Sequence, residues 1–409
     1  MTEHLYYHDS FLYEFDAEVC GVAQVDSRPA IILNRTAFYP TSGGQVFDRG
    51  WIMAGDNKLR VTEVSEREDG DILHFLESQT EVRPGTPVHG LIDAERRRDH
   101  MQQHSGQHIL SAAFIRALDM PTVSFHMGVE ACSIDLDSKG LSAQQAEIAE
   151  QLANQVVTDD RHVSIRFVSS EEAKNLGLRK LPPAEREHLR LIDIDNFDLT
   201  ACGGTHVTTT GQVGCILLRK IEKVRQGWRV EFVCGKRAVD TARRDYANLA
   251  ESAGFLSTHV WDVPQQVRKA QEESRALKKS AEQLSGEIAG LYAAQIFAQT
   301  PERDGRRVVV RLFPDRDLTF IKLLAQKITR QTLPVVALFG VSTDPPGLVF
   351  AQSTGQPFDM GTLMKEALAK LGGRGGGSKD MAQGGTAASN GLEAELNSIA
   401  ARLREGQTP

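Results

Sequence analysis

A chain of 409 residues with 41% hydrophobic content has room for two to four domains at roughly 100–200 residues each, and for ample core. The net charge of −7 gives a nucleic-acid partner no support from the chain as a whole, and leaves only a local basic footprint open. Five cysteines argue against a disulfide framework, no apolar run approaches the roughly 18 residues of a membrane span, and Met1-Thr2-Glu3-His4-Leu5-Tyr6-Tyr7 lacks the pattern of a signal peptide, so a cytoplasmic protein is expected.

Residues 1–90 are predicted as short strands and turns. Ala30-Ile31-Ile32-Leu33 is apolar and largely β-branched, Ser42-Gly43-Gly44-Gln45 is a glycine turn, and Arg60-Val61-Thr62-Glu63-Val64 alternates with period two. Such spacing suggests a small β-barrel or sandwich. Asp93 then caps a helix to about Leu118. Val123 to Asp137 reads as strand–turn–strand around Gly128, Ser142 to Val157 as a helix, and Val163 to Val168, Leu191 to Ile194, Cys215 to Glu222 and Trp228 to Val233 as strands. That is an α+β layer pattern. Three basic clusters, Arg96 to Arg98, Lys220 to Arg229 and Arg303 to Arg311, read first as solvated faces.

Gly235 opens a helix to about Ala253, with Gly254 as its stop. After Pro264, Val267, Ala270, Leu277, Ala281, Leu284, Ile288 and Leu291 recur at heptad-like spacing, predicting a two-helix hairpin or coiled-coil segment that Gly286 and Gly290 weaken. Val308 to Val310, the helix Leu318 to Arg330, and Val335 to Phe339 form a β-α-β unit of a buried sheet. Met360 to Leu371 and residues 392–404 are helical, and Gly372 to Ser378 is rich in glycine. The fold class is α+β in four segments: a β-barrel-like domain at 1–90, an α+β domain at 91–240, a helical connector at 241–299, and a glycine-rich α/β domain at 300–409.

Chemistry concentrates in two pairs. His104 and His108 lie one helical turn apart on one face, close enough to reach one ion. Cys202 and His206 bracket Gly203 and Gly204, where the backbone can bend both side chains inward. One sulfur and three nitrogens suit a single zinc ion better than magnesium or calcium. Residues 105–107 are Ser-Gly-Gln, so the His-Glu-x-x-His arrangement of metalloproteases is absent. Cys132, Cys215 and Cys234 lie in strand-like segments and read as structural.

Together with two further motifs these residues resemble a known family. Thr36-Ala37-Phe38-Tyr39-Pro40-Thr41-Ser42-Gly43-Gly44-Gln45 with Asp48 and Gly50, His104-Ser105-Gly106-Gln107-His108, Val123-Ser124-Phe125-His126-Met127-Gly128, and Cys202-Gly203-Gly204-Thr205-His206 follow the order of the alanyl-tRNA synthetase editing domain and its free-standing relatives. Trp228 to Gly235 is similar to the strand after that family's metal site. The glycine tail with Ser378 to Gln383 resembles the synthetase's DHH-associated C-terminal domain. The likeness covers about residues 1–385 and is to the long AlaX type, without the aminoacylation domain and its ATP site.

The resemblance implies hydrolysis of tRNA(Ala) carrying serine, with glycine as a second substrate, at one zinc ion per chain and without ATP. An aminoacylation pocket for alanine rejects glycine and serine weakly, and a second site is the known remedy. Thr36 matches the family's hydroxyl reader, though it also reads as an ordinary strand threonine. His126 falls where the family places a polar pocket residue, and reads equally as a strand histidine near a turn. Gly43, Gly44 and Gln45 line the family's pocket or make a plain hairpin turn. Asp198 is either a support behind a zinc-ligand histidine or a surface cap, and Arg219, Lys220 and Lys223 are candidate phosphate contacts. Four protein ligands fill a tetrahedron, whereas catalysis at zinc needs an open position. A tRNA-binding module with a structural zinc and a threonyl-type editing domain therefore stand as alternatives. The expected partner is mischarged tRNA(Ala), with no membrane and with a homodimer through the C-terminal domain.

Overall fold

The computed structural model describes residues 1–179 and 188–405. The chain divides into two compact units, Met1–Glu251 and Ser252–Pro409, where the sequence suggests four segments. The barrel and the α+β layers after it share the first unit.

Six antiparallel strands close the barrel: Glu14–Val25, Arg28–Leu33, Ile72–Leu76, Asn57–Glu66, Gly50–Ala54 and Pro87–Ile92, in that spatial order. Period-two alternation sends Phe15, Ala17 and Val19 inward from the first strand. Its hairpin turns at Asp26 and Ser27, both at positive φ, the geometry that matches strand twist.

Helix Ala94–Leu118 begins where Asp93 accepts a bond from the Arg96 amide at 3.1 Å. From His100 to Phe114 it is buried on nearly every side except at Gln102, so it threads the core instead of lying on it. One sheet packed in this unit runs Ile216–Val224, Gly227–Cys234, Cys132–Leu136 and Thr122–Met127. The other pairs Val163–Ser169, His188–Ile194 and Asp198–Ala201, all antiparallel. Helix Ala143–Thr158 opens with a reciprocal cap between Ser142 and Gln145.

In the second unit, residues 263–299 form one continuous helix, Val263–Gln299, not a hairpin. Gly286 and Gly290 cost it helix propensity without breaking it, because neither position demands a turn conformation. The preceding helix, Gly235–Phe255, also runs through Gly254. Strands Arg307–Phe313 and Val335–Val341 are parallel across helix Leu318–Ile328, as a β-α-β unit requires. Gly347–Gln352, Met381–Gly385 and Arg374–Gly377 extend the sheet antiparallel. The glycine run is thus an edge strand from Arg374 onward. At Gly375 and Gly377 an added Cβ would strike the backbone of the neighbouring strand, so the close pairing excludes side chains there. Among the described residues no helix is long and apolar enough to cross a membrane.

Candidate metal centre

His104 and His108 project from successive turns of the buried helix, their ring centroids 5.1 Å apart. The turn after strand Asp198–Ala201 brings His206 to 4.4 Å from the His104 ring and 4.6 Å from the His108 ring. Cys202 Sγ lies 3.4 Å from Nε2 of both His104 and His206. One donor atom from each of the four residues falls within 4.8 Å of all the others. This is the spacing at which four donors can share one ion.

The outward nitrogens of two of the three imidazoles lie within hydrogen-bond distance of protein groups. His104 Nδ1 lies 2.7 Å from Gln45 Oε1, which can only accept, so the proton is on Nδ1 and Nε2 faces inward with a lone pair. Ser105 Oγ lies 3.1 Å from His206 Nδ1. His108 Nδ1 stands 3.6 Å from Asp198 Oδ2, beyond hydrogen-bond range but within ion-pair range. Asp198 is buried and gripped by Arg179 at 2.7 and 3.0 Å, so it is no surface cap. Burial pushes its carboxyl up, and His108 and Arg179 outweigh this, holding it below the usual range.

Burial also raises the Cys202 thiol, but the three imidazoles overcome it and hold the sulfur well below an ordinary thiol. Burial and the neighbouring His104 keep His206 neutral. His108 is pushed down by burial and lifted above its usual range by Cys202 and Asp198. Zinc takes thiolate and neutral imidazole, the forms favoured here at Cys202 and His206, and its binding would displace a proton from His108, so one sulfur and three nitrogens fit that ion. Cys132, pushed up to about 12 by burial, and Cys234, also pushed well up by burial, remain buried thiols outside the cluster.

Gln45 holds the parts together. Wholly buried, it donates through Nε2 to Thr205 Oγ1 at 2.8 Å and accepts from the Thr205 amide at 3.1 Å as well as from His104. It therefore joins the barrel loop, the helix and the metal turn. Gly44, at positive φ, leaves room for the carbonyl and ring of Phe125, while Gly43 turns the hairpin into open space. Phe125 stacks on His104 at 5.6 Å and 18°. His126, next along that strand, is exposed on the opposite face, opposite Ser133. Phe125 is the residue of this motif that reaches the cluster.

Thr36 lies at 0% exposure on the barrel side, with its hydroxyl 2.8 Å from His74 Nε2 and accepting from the Phe38 amide at 3.1 Å. His74 Nδ1 donates to the Ile31 carbonyl at 3.2 Å, so Nε2 accepts the Thr36 proton. Burial pushes His74 down to about 4, keeping this chain neutral.

Several contacts carry no sequence signal. Arg97 belongs to the arginine cluster expected as a solvated face, yet it is fully buried and ion-paired with Asp48, with further donations to the carbonyls of Ser10 and Ala37. Asp48 in turn accepts from the Tyr39 amide at 2.7 Å. Arg190 donates to the carbonyls of Cys202 at 2.7 Å and Gly204 at 3.0 Å, bracing the metal turn. Arg219 and Lys220 are engaged with Asp245 and Glu222.

Comparison with known proteins shows which families the chain resembles. Residues 6–96 match the family model described as tRNA synthetases class II (A), residues 189–230 the threonyl and alanyl tRNA synthetase second additional domain, and residues 314–405 the DHHA1 domain. The alanine–tRNA ligase of Archaeoglobus fulgidus is 32% identical over 94% of the chain, which spans only 42% of that ligase. The C-Ala domain of Aquifex aeolicus alanyl-tRNA synthetase aligns with 26% of the chain and 98% of its own length, at 18% identity and a TM-score of 0.24. The alanyl-tRNA editing protein AlaX-L of Pyrococcus horikoshii is 30% identical over 94% of both chains, and the chain belongs to that family of alanyl-tRNA editing proteins.

Proposed function

We propose that the chain is an aminoacyl-tRNA hydrolase that releases the wrong amino acid, serine or glycine, from tRNA(Ala) at a zinc site formed by His104, His108, Cys202 and His206. The observation that carries this reading is the cluster itself: four converging donors, with hydrogen-bond partners behind His104 and His206 and the Asp198 carboxylate 3.6 Å behind His108. When bound, zinc supplies a positive charge that polarises an ester carbonyl. Gln45 fixes the His104 ring, Ser105 the His206 ring, and Phe125 covers one face of His104. Editing needs discrimination between serine and alanine. The candidate hydroxyl reader Thr36 would have to exchange its bond to His74 for one to substrate. A cytoplasmic site and tRNA(Ala) as partner follow from the same reading. A homodimer through the C-terminal domain is proposed beside it, and sedimentation of the intact chain tests it.

The assay compares serine release from Ser-tRNA(Ala) with alanine release from Ala-tRNA(Ala), for the wild type and Cys202→Ala. Serine is expected to leave selectively and the variant to be inactive; equal release from both substrates would end the editing claim. A tRNA-binding module with a structural zinc is the second reading, favoured by the count of four protein donors. It predicts that chelation loosens the fold while no serine is released at any metal content. A threonyl-type domain shares the match at 189–230, and the full-length likeness to AlaX-L weighs against it.

A further inference from the structure

The three-stranded sheet lays three rows of side chains across one face. Val163, Ile194 and Asp198 form the first, Ile165, Ile192 and Thr200 the second, and Phe167, Arg190 and Cys202 the third, since residues opposite one another in antiparallel strands point the same way. The first two rows lie within or against the apolar core. The third leaves it at the metal turn. Phe167, at its outer end, is 50% exposed, unusual for a phenylalanine on a face that is otherwise packed. The His8 ring rests against it with centroids 5.1 Å apart and tilted by 34°. Between Phe167 and Cys202 sits Arg190, only 8% exposed, its guanidinium 5.6 Å from the Tyr7 ring. Arg190 Nε and Nη1 are spent on the carbonyls of Tyr7, Cys202 and Gly204, while Nη2 is buried with no hydrogen-bond partner among the described residues.

We propose that this row is the seat of the substrate's 3′-terminal nucleotide, with the adenine stacked on Phe167 and His8, the ribose passing Arg190, and the ester arriving at Cys202 and its neighbours. The reach fits: two strand spacings of about 4.8 Å put Phe167 about 10 Å from Cys202, the span of one nucleotide from base to ester. The chemistry fits as well. An exposed aromatic ring beside an arginine is the sequence-tolerant stacking surface of single-stranded RNA ends, and the spare Arg190 donor suits a ribose or ester oxygen. The proposal rests on the editing reading for the identity of its substrate.

Phe167 is half-exposed, so its replacement leaves the core intact. An acceptor-stem RNA hairpin ending in CCA, with 2-aminopurine as the terminal base, reports stacking through quenched fluorescence. Quenching is expected with the zinc-loaded wild type and with Phe167→Trp, and about tenfold weaker binding with Phe167→Ala. With mischarged tRNA, Phe167→Ala should raise KM about tenfold and leave kcat within about twofold, the pattern of lost uniform binding, at equal zinc content. Unchanged quenching in Phe167→Ala, a fall in kcat instead of a rise in KM, or no quenching by the wild type overturns the proposal. Stacking without serine release would sink the editing reading and leave the nucleotide seat standing. Selective serine release with wild-type KM in Phe167→Ala would do the reverse.

Discussion

Gly204 lacks a side chain because the His104 ring occupies the space one would need. An added Cβ would run into the imidazole and stand 2.8 Å from Gln45 Oε1. Gly204→Ala should therefore tilt His104 off Gln45 and weaken zinc binding about 10- to 100-fold, as loss of a ligand's outer partner does; competition with a chromophoric chelator measures it. His74 is a second residue with a clear sign. Its folded value of about 4 lies below the unfolded 6.5, so between these the unfolded chain holds a proton that the folded chain does not. Stability is then full above about pH 6.5 and is lost as pH falls toward 4, by about 3 kcal/mol for this one group. His74→Gln, which keeps a partner for Thr36, should flatten that stretch of the urea-midpoint profile by close to one proton. An unchanged slope would show that His74 does not titrate there. The four donors were legible in the sequence because spacing and flanking glycines announce them. Gln45 and Ser105 were not legible in these roles, because their histidine partners lie 59 and 101 residues away and no local pattern encodes such a pairing.

Elements with strong periodicity came out of the sequence close to their observed bounds. Helix Ala94–Leu118 did so through its cap at Asp93, and Val335–Val341 through an unbroken apolar run. Elements defined by their neighbours did not. Arg374–Gly377 has no side-chain pattern to read, and only the close approach of Met381–Gly385 makes it a strand. For helix Val263–Gln299 the heptad-like spacing left a two-helix hairpin or a coiled-coil segment open, with Gly286 and Gly290 counting against it, yet a helix this long absorbs two such costs. The same reasoning gives a prediction. Gly286 and Gly290 have open space where a Cβ would go. Replacing either with alanine should stabilise the helix by about 1 kcal/mol, and the pair by about 2. Denaturant unfolding followed at 222 nm reads the change. A loss of stability would mean that another surface approaches the helix closely at those positions.

At the scale of the molecule, the four-donor cluster, the barrel and both sheets of the first unit belong to one compact body. Residues 1–255, expressed alone and so ending with helix Gly235–Phe255, should fold cooperatively and bind one zinc per chain as tightly as the intact protein. Metal analysis and urea unfolding of that fragment check this; a fragment that sheds zinc would show that the site depends on the second unit. The sequence divided this body at about residue 90, since strand-rich and helix-rich stretches differ in composition. The contacts that unite them, such as Arg97 with Asp48, join residues 49 positions apart. That ion pair also constrains how the chain can vary. With both groups at 0% exposure, replacing either alone strands a charge at a cost of about 3–5 kcal/mol, a large share of a typical domain's stability. A matched apolar pair could be neutral, but every route to it by single substitutions passes through a crippled intermediate. The aspartate of the glycine-turn motif is therefore held in place by an epistatic lock and needs no part in chemistry to persist across a lineage.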